Sequence, residues 1–430
     1  MQIHLKTLGC RLNEAELESW SQRFAADGHT VTRIAGDAEL LVLNTCAVTA
    51  EAVRKSRQTI HRLHRENPTA KLVVSGCYAS LAPEEAAAAG VDLVIENRDK
   101  DHLVEIARER LNLPAMPAAA SAPGAAAIFA HGRQRAFIKV QDGCRYRCSF
   151  CIVTLARGEE RSRPMAEIVA EINTLVSQGV REAALTGVHV GGYGSDCGSD
   201  LYTLIATILA ETDLPRLRLA SVEPWDLSDN FFELFANPRL MPHMHLPVQS
   251  GSDSVLRRMA RRCKTAEFRA LVARARAAVA DFNLTSDVIV GFPGETDEEW
   301  QRTLDYVREI GFGHLHIFSY SSRAGTKAAR LPDPVDKATK RARSQELHEL
   351  AAEMKRKALA SFVGREFEVL WEGDSERLAD GRWRISGYTP NYLRVCAVAD
   401  DGPARCNRIE RVRCVTAADD GDRLIARIAD

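Results

Sequence analysis

The chain is poor in cysteine, has no excess of either charge and contains no long apolar run. Its eleven cysteines in 430 residues are far below the density of a disulfide-linked scaffold, which exceeds about 8–10%. The 57 basic and 58 acidic side chains almost cancel, so a surface for nucleic acid would have to be a local patch. No run approaches the roughly 18 apolar residues of a membrane span, and residues 1–6 lack the apolar core of a signal peptide. We therefore expect a cytoplasmic protein with no membrane segment, in which thiols stay reduced.

Composition along the chain divides it into three candidate domains, as its length also suggests at about 150 residues per domain. Residues 113–129 are rich in Ala and Pro, carry no charge and show no periodicity, which is typical of a linker. The hydrophobic pattern changes again near residue 363. We therefore expect domains at residues 1–112, 130–362 and 363–430.

Short apolar runs alternate with helical patterns on both sides of this linker. Residues 1–112 contain a helical pattern at 51–66 and candidate strands at 3–8, 40–43, 72–74 and 93–95. Such alternation predicts a parallel α/β sheet. Six further candidate strands lie at 137–140, 183–185, 217–219, 243–246, 286–290 and 314–318, with helical patterns between them at 165–178, 266–280 and 297–310. This predicts a partial (β/α)6 barrel, short of the eight units of a closed one.

The last part of the chain has a different pattern. A charged helical segment at 337–361 leads into short, partly alternating runs at 367–371, 383–386, 392–398 and 424–428, separated by Gly, Asp and Pro. This predicts a small OB-like β-barrel. The predicted fold class is thus α/β with an added C-terminal barrel.

The strongest chemical signal is the C-x3-C-x2-C spacing of Cys144, Cys148 and Cys151. It follows a predicted strand and an Asp-Gly turn, where a β/α barrel places its site. Three thiolates within eight residues can hold three corners of a 4Fe–4S cube and leave the fourth iron open, since full ligation needs four cysteines. The alternative is structural zinc, which needs a fourth protein ligand at regular spacing, and none lies nearby in the sequence.

Three more cysteines each follow directly after a predicted strand. They are Cys10, Cys46 and Cys77, and two of them are preceded by Gly. The crevice of an open parallel sheet lies outside the carboxyl ends of its strands, so the three thiolates can converge there. Any one of them alone could be a core cysteine. Together they predict a second site with three ligands and one open iron.

These features together resemble the methylthiotransferases, a family of radical S-adenosylmethionine (SAM) enzymes, and the resemblance covers nearly the whole chain. Further matching segments are residues 158–164 (GEERSRP), 185–190 (LTGVHV), 245–252 (HLPVQSGS) and 291–296 (GFPGET). The resemblance implies an N-terminal cluster domain, a radical SAM core and a C-terminal RNA-binding TRAM domain. It also implies two 4Fe–4S clusters, one on each set of three cysteines. SAM would bind the cluster on Cys144, Cys148 and Cys151, and the other cluster would carry sulfur.

The same resemblance assigns SAM contacts to seven further positions. Glycine at three of them lets the backbone approach a ligand closely, which suits the two ends of SAM. The seven positions are Phe150, Gly187, Gln249, Ser250, Gly251, Ile289 and Gly291. The resemblance further implies an electron donor such as flavodoxin or ferredoxin, and a monomeric enzyme.

Basic residues are clustered although their total is balanced. One cluster comprises Arg257, Arg258, Arg261, Arg262 and Lys264; a second, on the predicted helix 51–66, comprises Arg54, Lys55, Arg57, His61, Arg62, His64 and Arg65. Such runs are usually solvated faces, but beside a barrel that resembles an RNA-binding domain they favour contacts with phosphates. We therefore expect binding of a tRNA anticodon stem-loop.

Members of the family differ in substrate, and three segments here resemble the type that acts on threonylcarbamoyl-adenosine in tRNA. They are residues 8–13 (LGCRLN), residues 46–58 with Cys-Ala-Val-Thr and Arg-Lys-Ser-Arg-Gln, and residues 387–392 (GYTPNY). The implied reaction is transfer of a methylthio group to C2 of that nucleoside, next to the anticodon. Its carboxylate would need a cation, for which Arg147, Arg157, Arg161 and Arg163 are candidates.

Three alternatives remain open at this point. The isopentenyl-adenosine of tRNA is one, since residues 245–248 (HLPV) are closer to the type that acts on it. An aspartate of a ribosomal protein is another substrate of the family. The third is a non-catalytic RNA-binding protein with structural or redox-sensing clusters, which the open coordination of both sites disfavours.

Overall fold

The computed structural model describes residues 1–114 and 134–429. Most of the predicted linker, residues 115–129, lies outside the described residues, as do residues 130–133 at the start of the expected second domain. Among the described residues, no helix combines the length and the apolar character that crossing a membrane requires.

Five parallel strands form the first sheet, in the spatial order β2-β1-β3-β4-β5. Their bounds are β1 (Gln2–Thr7), β2 (Thr30–Thr32), β3 (Leu40–Thr45), β4 (Lys71–Gly76) and β5 (Leu93–Ile95). β3 is buried along its whole length, as expected for a central strand of a parallel sheet covered by helices. The helices of this region are Arg11–Ala26, Ala50–Glu66, Cys77–Leu81, Pro83–Ala87 and Leu103–Arg110. The predicted parallel α/β sheet is confirmed.

Several elements of this region have no counterpart in the sequence-based prediction, and two of them show why. The helix Arg11–Ala26 buries Asn13, Glu16 and Glu18 together with its apolar residues, so its apolar periodicity is weak. The strand β2 has only three residues and lies at the edge of the sheet. In both cases tertiary contacts, rather than the local pattern, define the element.

Six parallel strands form an incomplete barrel in the second region, as predicted. The strands here are β6 (Arg135–Lys139), β7 (Gln141–Asp142), β8 (Arg161–Ser162), β9 (Glu182–Thr186), β10 (Arg216–Leu219), β11 (His243–His245), β12 (Asn283–Val290) and β13 (His314–Ser319). β7 and β8 form a short antiparallel ribbon. The other six form two three-stranded sheets, β10-β9-β6 and β11-β12-β13, which parallel bridges at Leu217–Leu240 and Ser221–His245 join.

Helices pack against both edge strands of this incomplete barrel. The helices of the region are Val153–Arg157, Met165–Ser177, Leu201–Glu211, Asp253–Arg258, Thr265–Ala278, Asp297–Ile310 and Lys337–Ala360. The N-terminal helix Arg11–Ala26 packs on β6, and the long helix Lys337–Ala360 packs on β13. Covering an edge strand protects its unpaired backbone groups from other strands.

Local sequence signals define the helix Asp297–Ile310 at both ends. The Thr296 hydroxyl accepts a hydrogen bond from the Glu299 amide, and the Glu299 carboxylate accepts one from the Thr296 amide. This is a capping box. The helix ends at Gly311, which is left-handed with φ 67°. These signals explain why the predicted and observed bounds of this helix agree.

The C-terminal region forms a closed five-stranded barrel. Its strands are β14 (Glu366–Arg377), β15 (Trp383–Tyr388), β16 (Arg394–Ala399), β17 (Ile409–Ala417) and β18 (Leu424–Ile428), in the order β14-β15-β16-β18-β17. Trp371, Val395 and Leu424 are fully buried in its core. The predicted barrel is confirmed. Only β17 has no counterpart among the predicted strands, because three of its first five residues are charged.

The turn between β15 and β16 docks onto the core barrel. Arg216 donates a hydrogen bond to the carbonyl of Tyr388 (3.1 Å), and Arg218 donates to the carbonyls of Thr389 (2.8 Å) and Pro390 (2.7 Å). Both arginines are buried. Since β10 begins at Arg216, the C-terminal barrel covers the amino end of this core strand.

Candidate active site

The six predicted ligands form two groups, which lie in different parts of the fold. The first group, called here the loop triad, consists of Cys144, Cys148 and Cys151 in one loop between β7 and the helix Val153–Arg157. The second group, the strand-end triad, consists of Cys10, Cys46 and Cys77, which follow β1, β3 and β4. These three strands are neighbours in the sheet, so their carboxyl ends bring the second group together.

A glycine turn begins the loop triad. Gly143 has φ 70°, and a Cβ atom there would lie 1.9 Å from the carbonyl oxygen of Glu159. Only glycine fits such a position without displacing the backbone. Within the loop, the Thr154 hydroxyl donates a hydrogen bond to the carbonyl of Tyr146 (3.0 Å). The following helix thereby fixes the segment that carries the three thiols.

Burial raises the pKa of every thiol in the loop triad, to about 12 for Cys144 and to about 11 for Cys151. The free thiols are therefore protonated at neutral pH, and metal binding releases their protons. Arg261 Nη1 lies 3.8 Å from Sγ of Cys148. This guanidinium is held by Glu223 (2.6 Å) and stacks 4.4 Å from the centre of the Trp225 ring. A fixed cation thus stands beside the thiols, where it would offset the charge of a thiolate-bound cluster.

Two glycines with positive φ allow the strand ends of the second triad to approach each other. Gly9 has φ 108°, and a Cβ atom there would lie 2.9 Å from Sγ of Cys46. Gly76 has φ 99°, and a Cβ atom there would lie 2.3 Å from the carbonyl oxygen of Thr45. These are the two glycines that directly precede cysteines of the strand-end triad. A side chain at Gly9 would therefore clash with Cys46, and one at Gly76 would clash with the end of β3.

Amide side chains contact the thiols of the strand-end triad. Asn13 Oδ1 lies 3.8 Å from Sγ of Cys10, and Asn97 Nδ2 lies 3.8 Å from Sγ of Cys77. Asn97 also donates a hydrogen bond to the carbonyl of Ala156 (2.7 Å). The side chains of Asn13 and Asn97 therefore link the thiols to neighbouring parts of the protein. Residues that contact metal ligands commonly orient them in this way.

A buried ion network lies next to the strand-end triad. Arg157 donates to Glu16 (2.9 Å) and to Asp142 (2.9 Å), and Lys100 Nζ lies 2.5 Å from Glu16. Lys139 pairs with Asp142 (2.9 Å). Burial by itself raises the pKa of Glu16, but the three cations outweigh burial and lower this pKa to about 2. The carboxylate is therefore charged at neutral pH, and the network holds the N-terminal helix on the core.

The helix Val153–Arg157 connects the two triads. This five-residue helix begins two residues after Cys151 and ends in Arg157, whose Nη2 donates to Asn13 Oδ1 (2.7 Å). Its penultimate residue accepts the hydrogen bond from Asn97. One short helix therefore reaches from the loop triad to both amides that contact the strand-end triad.

The residues beside the loop triad do not complete a zinc site. His189, Glu160 and Cys144 have ligand atoms within 4.8 Å of one another, but both ring nitrogens of His189 face carboxylates, Glu160 at Nδ1 and Asp226 at Nε2 (2.5 Å). Burial lowers the pKa of His189, yet the two carboxylates outweigh burial and raise this pKa. A protonated imidazole has no lone pair for a metal. Among the described residues, the donors therefore fit a cluster on three thiolates better than four-coordinate zinc.

Three of the predicted SAM contacts lie close together. Phe150 and Ile289 belong to one apolar cluster with Phe292. The Gln249 amide donates to the carbonyl of Asp287 (2.8 Å), and the Gln249 carbonyl accepts from the Ile289 amide (2.9 Å). Gln249 has φ 71°, which is uncommon for a residue other than glycine, so pairing with β12 holds it there. Their contact with SAM stays a prediction.

Two of the glycines predicted to contact SAM have close neighbours within the protein, and their contact with SAM stays a prediction. A Cβ atom at Gly251 would lie 2.6 Å from Cβ of Tyr306, and one at Gly291 would lie 2.4 Å from Cγ of Lys340. Tyr306 and Lys340 belong to helices of the core. The two glycines therefore allow helices to pack closely, and that packing accounts for their missing side chains without a ligand.

The side chain of Ser250 is also turned into the protein. It is fully buried, and its hydroxyl lies 3.1 Å from the hydroxyl of Thr303. Gly187, in contrast, borders a cavity of about 580 Å³. A Cβ atom at Gly187 would nevertheless lie 3.0 Å from the carbonyl oxygen of Gln141, so protein packing also limits this position.

This cavity lies between the N-terminal helix, the core strands and the C-terminal barrel. Cys10 of the strand-end triad forms part of its wall. Most of the other lining side chains are polar. They include His243, His245, His314 and His316, the cationic Arg11, Lys355 and Arg394, and the aromatic Tyr388 and Tyr392.

Three histidines of the cavity, His243, His314 and His316, are neutral hydrogen-bonding groups at physiological pH. Burial lowers the pKa of His243 and His316, and it lowers the pKa of His314 to about 4. A neutral imidazole can donate one hydrogen bond and accept another. The sequence held a signal for this wall: His-x-His occurs in both β11 and β13, and alternate residues of a strand face the same side.

The predicted basic clusters divide into paired and exposed residues. Arg258 pairs with Glu299 (2.5 Å) and Arg261 with Glu223 (2.6 Å), which partly neutralises their charges, whereas Arg257, Arg262 and Lys264 of the same cluster are exposed. Their contact with phosphates stays a prediction. On the helix Ala50–Glu66, all the basic side chains are exposed: Arg54, Lys55, Arg57, His61, Arg62, His64 and Arg65. That helix presents the stronger candidate surface for phosphates.

The four arginines predicted to bind the substrate carboxylate lie elsewhere. Arg157 is buried in the ion network, Arg147 pairs with the exposed Glu159 (3.1 Å), and Arg163 pairs with Glu171 (2.7 Å). Among the described residues that line the cavity, none of these arginines occurs, nor does Arg161. The cations that line the cavity are Arg11, Lys355 and Arg394, and a contact of the four candidate arginines with the substrate stays a prediction.

Two family models match separate parts of the chain. Residues 138–307 match the radical SAM superfamily, and residues 2–96 match a family described as uncharacterized protein family UPF0004. The loop triad lies in the first match, and the strand-end triad lies in the second.

The protein is also similar to solved structures of radical SAM enzymes. It superposes on the methyltransferase TsrM from Kitasatospora setae, solved with cobalamin and a 4Fe–4S cluster, with a TM-score of 0.56 at 16% identity over 74% of each chain. For the cobalamin-dependent SAM radical enzyme OxsB, the TM-score is 0.51 at 12% identity, covering 83% of this chain and 56% of OxsB. At these identities the likeness shows the fold alone, and it agrees with the predicted fold class.

Curated relatives extend over nearly the full length. The threonylcarbamoyladenosine tRNA methylthiotransferase MtaB of Thermotoga maritima is 36% identical, covering 91% of this chain and 90% of the relative; MtaB of Bacillus subtilis is 35% identical, covering 91% and 89%. The tRNA-2-methylthio-N(6)-dimethylallyladenosine synthase of Cereibacter sphaeroides is 38% identical, covering 97% and 96%. On this full-length identity, the chain belongs to the methylthiotransferase family of radical SAM enzymes.

Proposed function

We propose that this protein transfers a methylthio group to C2 of N6-threonylcarbamoyladenosine next to the anticodon of tRNA. The observation that carries the proposal is the shared cavity. Cys10 of the strand-end triad, Gly187 of the predicted SAM site and the cationic Arg11 and Arg394 line one space. A base bound there would meet the sulfur-carrying site, the SAM site and a wall suited to an anionic substituent.

Each triad would hold one 4Fe–4S cluster through three thiolates, with one iron left open. The loop triad would hold the cluster that binds SAM, and the strand-end triad the cluster that carries sulfur. When bound, these groups supply the one-electron chemistry and the sulfur. C2 of adenine has no acidic proton, so a general base among the side chains cannot activate it. The residues of the chain therefore bind and orient the reactants and exclude water.

Aromatic side chains of the C-terminal barrel would receive the base. The rings of Tyr388 and Tyr392 stack with their centroids 4.8 Å apart, and the centroid of the His243 ring lies 4.9 Å from that of Tyr392. The Tyr392 hydroxyl accepts a hydrogen bond from Arg11 Nη2 (3.1 Å). A rigid aromatic wall of this kind stacks on unpaired bases.

The character of the cavity favours the threonylcarbamoyl substituent over the isopentenyl one. The first ends in a carboxylate and carries a hydroxyl and a urea, whereas the second is wholly apolar. Cations and neutral imidazoles line the cavity, and they would be left without partners by an apolar group. A site built to hydrogen-bond a substrate rejects the analogue that lacks the polar groups.

The proposal extends to domains and partners. Residues 1–112, 130–362 and 363–430 would be the cluster domain, the radical SAM core and a TRAM domain joined by the 113–129 linker. The exposed basic helix Ala50–Glu66 and the C-terminal barrel would contact the phosphates of the anticodon stem-loop. A flavodoxin or ferredoxin would deliver electrons, and the enzyme would act as a monomer in the cytoplasm.

A competition between two substrates tests the proposal. Anaerobically reconstituted protein would receive SAM, a reductant and equal amounts of two anticodon stem-loops, one with threonylcarbamoyl-adenosine and one with isopentenyl-adenosine. We expect the methylthio product from the first substrate only, detected by nucleoside mass spectrometry. Equal or preferred conversion of the isopentenyl substrate would refute the proposed substrate, and absence of any methylthio product would refute the proposed reaction.

A further inference from the structure

One guanidinium in the cavity wall has an unsatisfied hydrogen-bonding atom. Nε of Arg394 is buried and has no hydrogen-bond partner among the described residues. Buried polar atoms without a partner are rare in folded proteins, and each requires an explanation. Arg394 is the first residue of β16, directly after the turn that docks onto the core, so its backbone position is well defined.

The neighbouring arginines of this region are engaged. Arg11 donates to the Tyr392 hydroxyl, and Arg216 and Arg218 donate to backbone carbonyls of the docked turn. Arg135 also pairs with the buried Glu182. Nε of Arg218 is likewise buried without a hydrogen bond, but it lies 2.8 Å from the Glu182 carboxylate. Arg394 differs from the three arginines that pair with Glu182, because its own guanidinium has no ion pair among the described residues.

The acids near Arg394 leave its charge available to a ligand. Asp422 borders the same cavity but forms an ion pair with Lys355. The positive charge of Arg394 acts to lower the pKa of both Glu372 and Asp422. Neither carboxylate forms an ion pair with Arg394 among the described residues. The cavity wall at Arg394 thus presents an unpaired cation and an unused donor.

We propose that Arg394 binds the carboxylate of the threonyl group and makes the enzyme specific for the threonylcarbamoyl substituent. This inference rests on the proposed function. A carboxylate can accept two parallel hydrogen bonds from the guanidinium fork, and one of them would satisfy Nε. With Cys10 in another part of the same wall, the edge of the base would face the strand-end triad while its substituent extends to the C-terminal barrel.

Arg394 would thus be a specificity residue that touches the substrate but takes no part in sulfur transfer. Its hydrogen bonds to a charged group have a typical strength of about 1.5–3 kcal/mol, which corresponds to about a tenfold to hundredfold change in affinity. A lysine at this position would keep the charge but lose the fork, so it would keep part of the specificity.

Binding measurements test this role separately from turnover. The probes are an anticodon stem-loop with threonylcarbamoyl-adenosine and the same stem-loop with the threonyl carboxylate converted to its methyl ester. Fluorescence anisotropy would give the ratio of the two affinities for the wild-type protein, Arg394→Gln and Arg394→Lys, all reconstituted with iron and sulfide. Arg384→Gln is the matched control, because Arg384 lies on the same barrel and forms an exposed pair with Glu376 (2.7 Å).

We expect the wild-type protein and Arg384→Gln to bind the acid about tenfold to a hundredfold more tightly than the ester. Arg394→Gln should bind both equally, and Arg394→Lys should give an intermediate ratio. An unchanged ratio in Arg394→Gln would overturn the inference, as would a wild-type protein that binds acid and ester equally. If the wild-type protein still converts only the threonylcarbamoyl substrate in the competition, the proposed function stands while the role of Arg394 falls. Iron content and circular dichroism show that each variant is folded, and Arg394→Lys provides the readout if Arg394→Gln is not.

Discussion

The loop triad and the strand-end triad bring three thiols together in two different ways. The loop triad lies within one short segment, shaped by a glycine turn and by hydrogen bonds to the next helix. The strand-end triad exists only when β1, β3 and β4 pair in register. The first is a local structure, whereas the second depends on the tertiary fold of the N-terminal sheet.

The two triads should differ in how easily they are disrupted. The strand-end triad depends on the ion network that joins the N-terminal helix to the core, because Arg157 bonds both Glu16 and Asp142. The loop triad has its own cation, Arg261, held by Glu223 within the core. A weakened interface between the N-terminal sheet and the core should therefore affect the strand-end triad first.

Replacing all three cysteines of the loop triad with Ala should have the largest effect. Reductive cleavage of SAM should be abolished, since no other site on the chain is proposed to bind SAM, and the iron content should fall by half. The measurements are 5′-deoxyadenosine by mass spectrometry and iron per chain. Continued formation of 5′-deoxyadenosine, or an unchanged iron content, would show that the loop triad is not the SAM site.

The substitution Arg157→Met should separate the two triads. It leaves Glu16 and Asp142 buried with fewer cations, and breaking a buried pair costs about 3–5 kcal/mol; Lys100 and Lys139 remain, so we expect the lower end, about 3 kcal/mol. Denaturation and iron release show whether the strand-end site loses iron before the loop site. Arg269→Met, which removes an exposed pair with Glu309, is the control and should change neither. Simultaneous loss of iron from both sites would contradict the comparison.

Two glycine-to-alanine substitutions test whether the contact with Cys46 controls the geometry of the strand-end triad. Gly9 and Gly158 both have positive φ, but a Cβ atom at Gly9 meets Cys46, whereas one at Gly158 has open space around it. Both alanine variants bear a backbone cost of about 1–3 kcal/mol, yet only Gly9→Ala should disturb the strand-end triad. Iron content and the cluster spectrum of each variant test this. Equal effects would mean that the contact with Cys46 has no influence on ligand geometry.

The smallest expected effect is on the contacts between the protein and the phosphates of tRNA. Exposed basic residues follow the strand-end triad on the helix Ala50–Glu66, whereas Arg258 and Arg261 near the loop triad are paired internally. Replacing Arg54 and Arg65 with Gln should therefore lower the slope of log affinity for tRNA against log salt, by about 0.9 for each lost phosphate contact. Titrations at several salt concentrations measure the slope. An unchanged slope would place the phosphate contacts on another surface.

The sequence was sufficient for both triads and for the order of the three regions, because spacing and strand–helix alternation are local patterns. It was insufficient for the N-terminal helix, whose buried Asn13, Glu16 and Glu18 obscure its apolar face. It also missed the network between Arg157 and Glu16, whose residues lie 141 positions apart. Such a pair becomes visible only when the fold brings the two charges into one buried space.

The residues of the candidate site were only partly predictable from the sequence. Gly187 borders the cavity, whereas a side chain at Gly251 or Gly291 would meet neighbouring helices; a glycine in a sequence does not show what approaches it. The cations of the cavity were not identified from the sequence, because the candidate arginines near the cysteines do not line it. Arg394 lies far from them along the chain and reaches the cavity through docking of the C-terminal barrel.

The most direct test of the account measures two products of one variant. With Cys10, Cys46 and Cys77 replaced by Ala and the loop triad intact, anaerobic reactions with SAM, reductant and the threonylcarbamoyl stem-loop would be assayed for 5′-deoxyadenosine and for the methylthio nucleoside. SAM cleavage should persist while the methylthio nucleoside is absent, because the strand-end triad is proposed to carry the sulfur. Formation of the methylthio nucleoside by this variant would contradict the division of labour between the two triads.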